Sequence, residues 1–251
     1  MMRAFNISMI ENVFHVRHGS EIYSQAVMRL NMTYGLGLRS ENLRTAHLQE
    51  TKMRFSHDTA HTNTHLLGLA HGTELMIERR PSLIGEIDWP LAFDFYSLHD
   101  EARASFPVNI ITLFYSQWME YKLAPIAARK HLEHHRFGKV NQELLDIIAR
   151  HPFHAGHRTR QGKVFSPTEQ LVVDVDGLEV LSPKRVDAMY AHIKNGFFGL
   201  PLERDHGLIY AIFRKYTNFT FFYPEANAIA QELRPAVEDH IQKKFIVRSP
   251  R

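Results

Sequence analysis

The sequence predicts a mainly α fold, a single compact helical domain with one short β-hairpin near residues 164–181. Three observations carry that expectation. The chain has 251 residues, 44% of them hydrophobic and 23% charged, enough to bury one full core. Apolar residues recur at helical spacing in most segments between glycines and prolines. One stretch alone, Gly162 to Leu181, is rich in β-branched residues around an Asp176-Gly177 pair, which is a hairpin signal.

The elements follow in chain order. Ile22, Tyr23, Ala26, Val27 and Leu30 share one helical face, and Gly35 with Gly37 ends it. Ser40 and Glu41 open a second helix through Leu43 and His47, and Thr64 to Arg79 gives a third, closed by Pro81. Phe106 to Lys122 is apolar and aromatic over a length that favours a buried helix, which Pro125 is expected to interrupt. Ala127 to Arg136 and Asn141 to Arg150 are further helices, the second ended by His151-Pro152. After the hairpin, Pro183 opens a helix that Asn195-Gly196 closes. Another runs from Glu203 to about Tyr216, and a last one from Pro224 toward Ile241. Residues 1–125 form an N-terminal helical region and 126–251 the remaining core, the two making one compact domain.

Composition excludes several function classes. Lys and Arg number 30 against 27 Asp and Glu, a formal charge of only +3, and the two signs are interspersed, so no nucleic-acid partner is expected. Cysteine is absent, which removes disulfides, thiolate nucleophiles and Cys-ligated metals and makes a reducing, cytoplasmic setting the simplest expectation, in the chain's own cell or a host's. The first residues carry Asn6 and Glu11 within their apolar stretch and do not read as a signal peptide. No segment approaches the roughly 18 uninterrupted apolar residues of a membrane span.

The chemistry rests on the 17 histidines. His57, His61 and His65 recur every four residues, so on a helix they share a face and can converge on a transition metal. Asp58 beside His57 resembles the paired ligands of His-Asp phosphohydrolases, with His18 and the His99-Asp100 pair as possible further ligands. That resemblance implies metal-activated water attacking a phosphoester, with His57, Asp58 and His61 as the metal set. A second cluster, His131-Leu132-Glu133-His134-His135, reads as an exposed helical face beside Arg129, Lys130 and Arg136.

The third cluster is His151-Pro152-Phe153-His154-Ala155-Gly156-His157-Arg158. It resembles the opening of the Fic/Doc motif, His-x-Phe-x-Asp/Glu-Gly-Asn-Gly-Arg, with Ala155 at the acid position. The resemblance implies His151 as general base and Gly156 and Arg158 approaching nucleotide phosphates, with ATP and a divalent metal as cofactors. A second register fits the family's element order: a helix, a Gly-x-Arg segment at Gly156 to Arg158, a hairpin flap, two helices, then a loop at Phe221 to Ile229. There Glu225 and Asn227 match and Phe221 stands for the histidine. In that reading 126–251 is a Fic-like helical core that binds nucleotide or a protein partner, possible activity being transfer of AMP to a protein hydroxyl. The phosphohydrolase and a non-catalytic adaptor or effector are the alternatives.

Overall fold

The computed structural model describes residues 21–54, 63–102, 110–135, 140–151, 164–196 and 220–245. Ten helices lie among these residues, and no strand does: α1 Tyr23–Tyr34, α2 Ser40–Arg54, α3 Asn63–Arg79, α4 Leu83–Glu86, α5 Trp89–Leu98, α6 Ile110–His135, α7 Gln142–Arg150, α8 Pro167–Glu179, α9 Pro183–Gly196 and α10 Pro224–Phe245.

The mainly α class holds, and the predicted hairpin does not. Residues 167–179 are the helix α8. Its start is fixed by Ser166, whose hydroxyl accepts from the Glu169 amide at 3.2 Å, and by Pro167, whose missing N–H costs nothing in the first turn. Leu171, Val172, Val175 and Leu178 then fall on one helical face and are fully buried. Burial of that stripe outweighs the strand preference of Val172, Val173 and Val175. Asp176-Gly177 is the last turn of a helix. With the flap gone, the described elements do not follow the order on which the Fic/Doc resemblance rested.

Pro125 also fails to interrupt. Helix α6 runs through it, because the buried stripe Ala124, Ala128 and Leu132 continues across the proline and packs with α7. Helix α6 thus crosses the 125/126 boundary. Helix α7 presents Leu144, Leu145, Ile147 and Ile148 to that contact. The predicted ends of α1, α3, α9 and α10 agree with the structure to within a few residues. Gly35 closes α1 at φ 64°, donating its N–H to Asn31, and Gly37 at φ 67° lets Leu38 return to the Asn31 side chain at 2.9 Å. The helix expected at 203–216 lies outside the described residues.

Helix α5 went unpredicted. It is apolar on every side, with Trp89, Leu91, Phe93, Phe95, Tyr96 and Leu98 all buried, so it has no periodicity to read. Asp88 caps it, accepting from Leu91 N at 3.0 Å. It lies in the middle of the core, packed on α2, α7 and α8, while α8 also packs on α3 and α10. Asp174 of α8 fixes the start of α10 by accepting from the Phe222 and Tyr223 amides at 2.9 and 2.8 Å. The packing brings the N-terminal turn of α3, the C-terminal ends of α5 and α7, the last turns of α8 and the first turn of α9 to one place. Among the described residues, no helix is long and apolar enough to cross a membrane.

Candidate metal centre

At that junction stand His65 of α3, His99 and Asp100 following α5, and Asp176 and Glu179 of α8. His65 Nε2 lies 3.2 Å from His99 Nε2 and 3.3 Å from Asp100 Oδ2, and His99 Nε2 lies 3.1 Å from the same oxygen. Asp176 Oδ1 is 3.7 and 3.9 Å from the two ring nitrogens. Donor atoms about 2.1 Å from a single ion lie about 3.0 Å apart at right angles and about 3.4 Å apart at tetrahedral angles. The three shortest separations are edges of such a polyhedron, and Asp176 stands slightly outside it. His65, His99 and Asp100 are the one group of three or more ligand atoms among the described residues close enough to share an ion.

The imidazole tautomers are fixed from behind. His65 Nδ1 is 2.9 Å from Glu179 Oε2, and His99 Nδ1 is 3.2 Å from the carbonyls of both Phe95 and Tyr96. A carbonyl or an ionised carboxylate only accepts, so each Nδ1 carries the proton. Neutral rings then turn two Nε2 lone pairs and a carboxylate oxygen toward one point, which only a proton or a metal ion relieves. Phe95 stacks on His99 at 4.9 Å with an interplanar angle of 13°, holding that ring in place.

Asp100, Asp176 and Glu179 bring three negative charges, and Arg185 of α9, 3.1 Å from Glu179 Oε2, returns one positive. Protons on the two rings or a bound cation offset these charges, since desolvation makes uncompensated charge expensive in a buried place. The protonation equilibria report the same field. Burial and Arg185 oppose the charged form of His65, yet Glu179 and Asp100 lift its pKa to about 9. Burial likewise opposes His99, and Asp100 overcomes it to raise the ring's pKa. Burial pushes Asp176 up, but His99 and His65 hold it below its ordinary value. Its side chain is 29% exposed, against 2% for both rings, so solvent reaches the group from the Asp176 side.

Close packing keeps the rear partners in place. A Cβ on Gly68, one turn beyond His65, would lie 2.6 Å from Glu179 Cγ, so glycine makes room for the carboxylate that orients the imidazole. Glu101, next to Asp100, turns away to Lys52 at 2.5 Å and His131 Nδ1 at 3.3 Å. His131 is thus buried as a partner of the Glu101 carboxylate, whereas Glu133 and His134 keep the exposed face expected for this cluster.

His57, Asp58 and His61 lie outside the described residues, as do Gly156 and Arg158. His151 is buried at the end of α7, 5.1 Å from the His99 ring centroid. Glu225 and Asn227 sit in the first turn of α10. Asn227 Nδ2 donates to the carbonyls of Phe221 and Tyr223 at 3.2 Å, and Glu225 lies 3.9 Å from Arg80. Neither belongs to the His65 group. Of the residues named from sequence, His65 and the His99-Asp100 pair come together. Asp176, Glu179 and Arg185 were missed as site residues. The signal for Asp176 and Glu179 was their i, i+3 spacing, which has meaning only on a helix. Comparison of the chain with protein-family models, curated proteins and solved structures finds no match.

Proposed function

We propose that the chain is a metal-dependent phosphohydrolase whose ion is held by His65, His99 and Asp100, with Asp176 completing the set at the solvent edge. The observation that carries this reading is the convergence of two Nε2 atoms and one carboxylate oxygen within 3.3 Å of one another. The mixed nitrogen and oxygen donors suit a first-row transition metal. The resemblance to His-Asp phosphohydrolases, read first at His57-Asp58, applies to the buried His99-Asp100 pair. Four protein donors leave room in a five- or six-coordinate shell for water and a phosphoester oxygen. The ion would acidify that water and draw charge from the phosphoryl group.

Elemental analysis of the purified protein together with hydrolysis of p-nitrophenyl phosphate tests the reading. Roughly one equivalent of transition metal is expected, lost with activity in His99→Ala and Asp100→Asn. A folded protein that takes up no Mn²⁺, Co²⁺, Ni²⁺, Fe²⁺ or Zn²⁺ overturns it.

A further inference from the structure

We infer that His131 and His135 of α6 form a second metal site, separate from the His65 group, for a divalent transition ion of the Ni²⁺ or Cu²⁺ class. The inference does not depend on the phosphohydrolase reading. The two residues are four apart on one helix, so their side chains leave the same face one turn apart. Their ring centroids are 4.6 Å apart. Two imidazole nitrogens about 2.1 Å from one ion, at right angles to each other, place the ring centroids about 4.6 Å apart, and a tetrahedral angle opens this to about 5.3 Å. The observed spacing matches the right-angled pair, which suits octahedral and tetragonal ions such as Ni²⁺ and Cu²⁺ better than tetrahedral Zn²⁺.

The surroundings of His131 are those of a ligand. Its Nδ1 lies 3.3 Å from Glu101 Oε1, an oxygen that also accepts from Lys52 Nζ at 2.5 Å. The carboxylate of that ion pair only accepts, so Nδ1 carries the proton and the lone pair lies on Nε2. A carboxylate behind the ring is the usual support of a metal-ligating histidine, and Glu179 stands behind His65 in the same way. His131 Nε2 is itself buried and, among the described residues, has no hydrogen-bond partner. A buried acceptor left unsatisfied is costly, and an ion shared with His135 satisfies it. His134 and His135 lie in the last turn of this 26-residue helix, where the carbonyl ends favour a cation. His135 is half-buried and His134 exposed, their rings 4.6 Å apart, so an ion reaches the pair from the His135 side and water fills its remaining positions. With two protein ligands the site is weaker than the His65 group and fills when the ion is supplied.

Calorimetric titration of the purified chain with Ni²⁺ tests the site. The wild type should take up one equivalent more than His135→Ala, and His134→Ala should keep that equivalent. Glu101→Gln, which removes the charge behind His131, should weaken it about ten- to a hundredfold. Should His135→Ala fail to fold, His135→Gln replaces it with the same expected result. Equal uptake by the wild type and the His135 variant overturns the site. Loss of the same equivalent in His134→Ala, or full affinity in Glu101→Gln, overturns it as well, because exposed imidazoles without a supporting carboxylate then account for the binding.

Discussion

One oxygen, Glu179 Oε2, lies 2.9 Å from His65 Nδ1 and 3.1 Å from Arg185 Nε. Helix α8 is thereby joined to α3 and α9 through a single buried atom, and the ion pair sets the orientation of a candidate ligand. Removing Glu179 or Arg185 should have different effects.

Glu179→Gln keeps the size of the side chain and an acceptor oxygen but removes the charge that supports His65. Loss of a partner behind a metal-ligating histidine costs about ten- to a hundredfold in metal affinity. Competition with a chromogenic chelator should show a drop of that size. An unchanged affinity would mean that Glu179 only fills space.

Arg185→Leu leaves Glu179 buried with His65 but without its guanidinium partner. Breaking a buried pair from one side costs about 3–5 kcal/mol. Urea unfolding of the metal-free protein should show a loss in that range, and a loss below about 1 kcal/mol would sink the assignment.

Gly68→Ala brings a Cβ to 2.6 Å from Glu179 Cγ. Glu179 is 2% exposed, so it cannot swing out freely. Overpacking of this kind costs about 1–3 kcal/mol, and here displacement of the carboxylate should also weaken metal binding. Thermal unfolding and chelator competition on the same sample should both change. Stability lost with affinity intact would separate Gly68 from the site.

Protonation gives a signed prediction. In the metal-free protein His65 has its pKa lifted from 6.5 to about 9. The folded state then holds a proton that the unfolded chain gives up near 6.5. The resulting stabilisation is complete below about pH 6.5 and is lost as pH rises through about 9. Stability in excess chelator should fall across that window. Metal must displace the same proton, so affinity should rise over it. Urea midpoints and metal affinities that are flat from about pH 6 to 9 would contradict both.

Gln49 of α2 is fully buried, and its amide makes no hydrogen bond among the described residues. A buried amide without partners costs about 1–3 kcal/mol in desolvation. Gln49→Met, close in shape and apolar, should therefore raise the melting temperature by several degrees. A lower melting temperature would reveal a bound water or other partner at that position.

The sequence by itself determined the helical class and most helix boundaries, because these depend on local features: the Gly35 stop, the Ser40 and Pro183 starts and the one-faced stripe of α7. It also marked His65 and His99-Asp100 as metal-binding residue types. Tertiary structure decided what local features leave open. Packing of Leu171, Val172, Val175 and Leu178 against α3, α5 and α10 made residues 167–179 a helix, overriding a hairpin signal that turn chemistry and β-branching both supported. Only that helix puts Asp176 and Glu179 one turn apart, beside His65. Burial, invisible in a list of 17 histidines, set the rings at 65 and 99 among the carboxylates of Asp100, Asp176 and Glu179, which water does not screen.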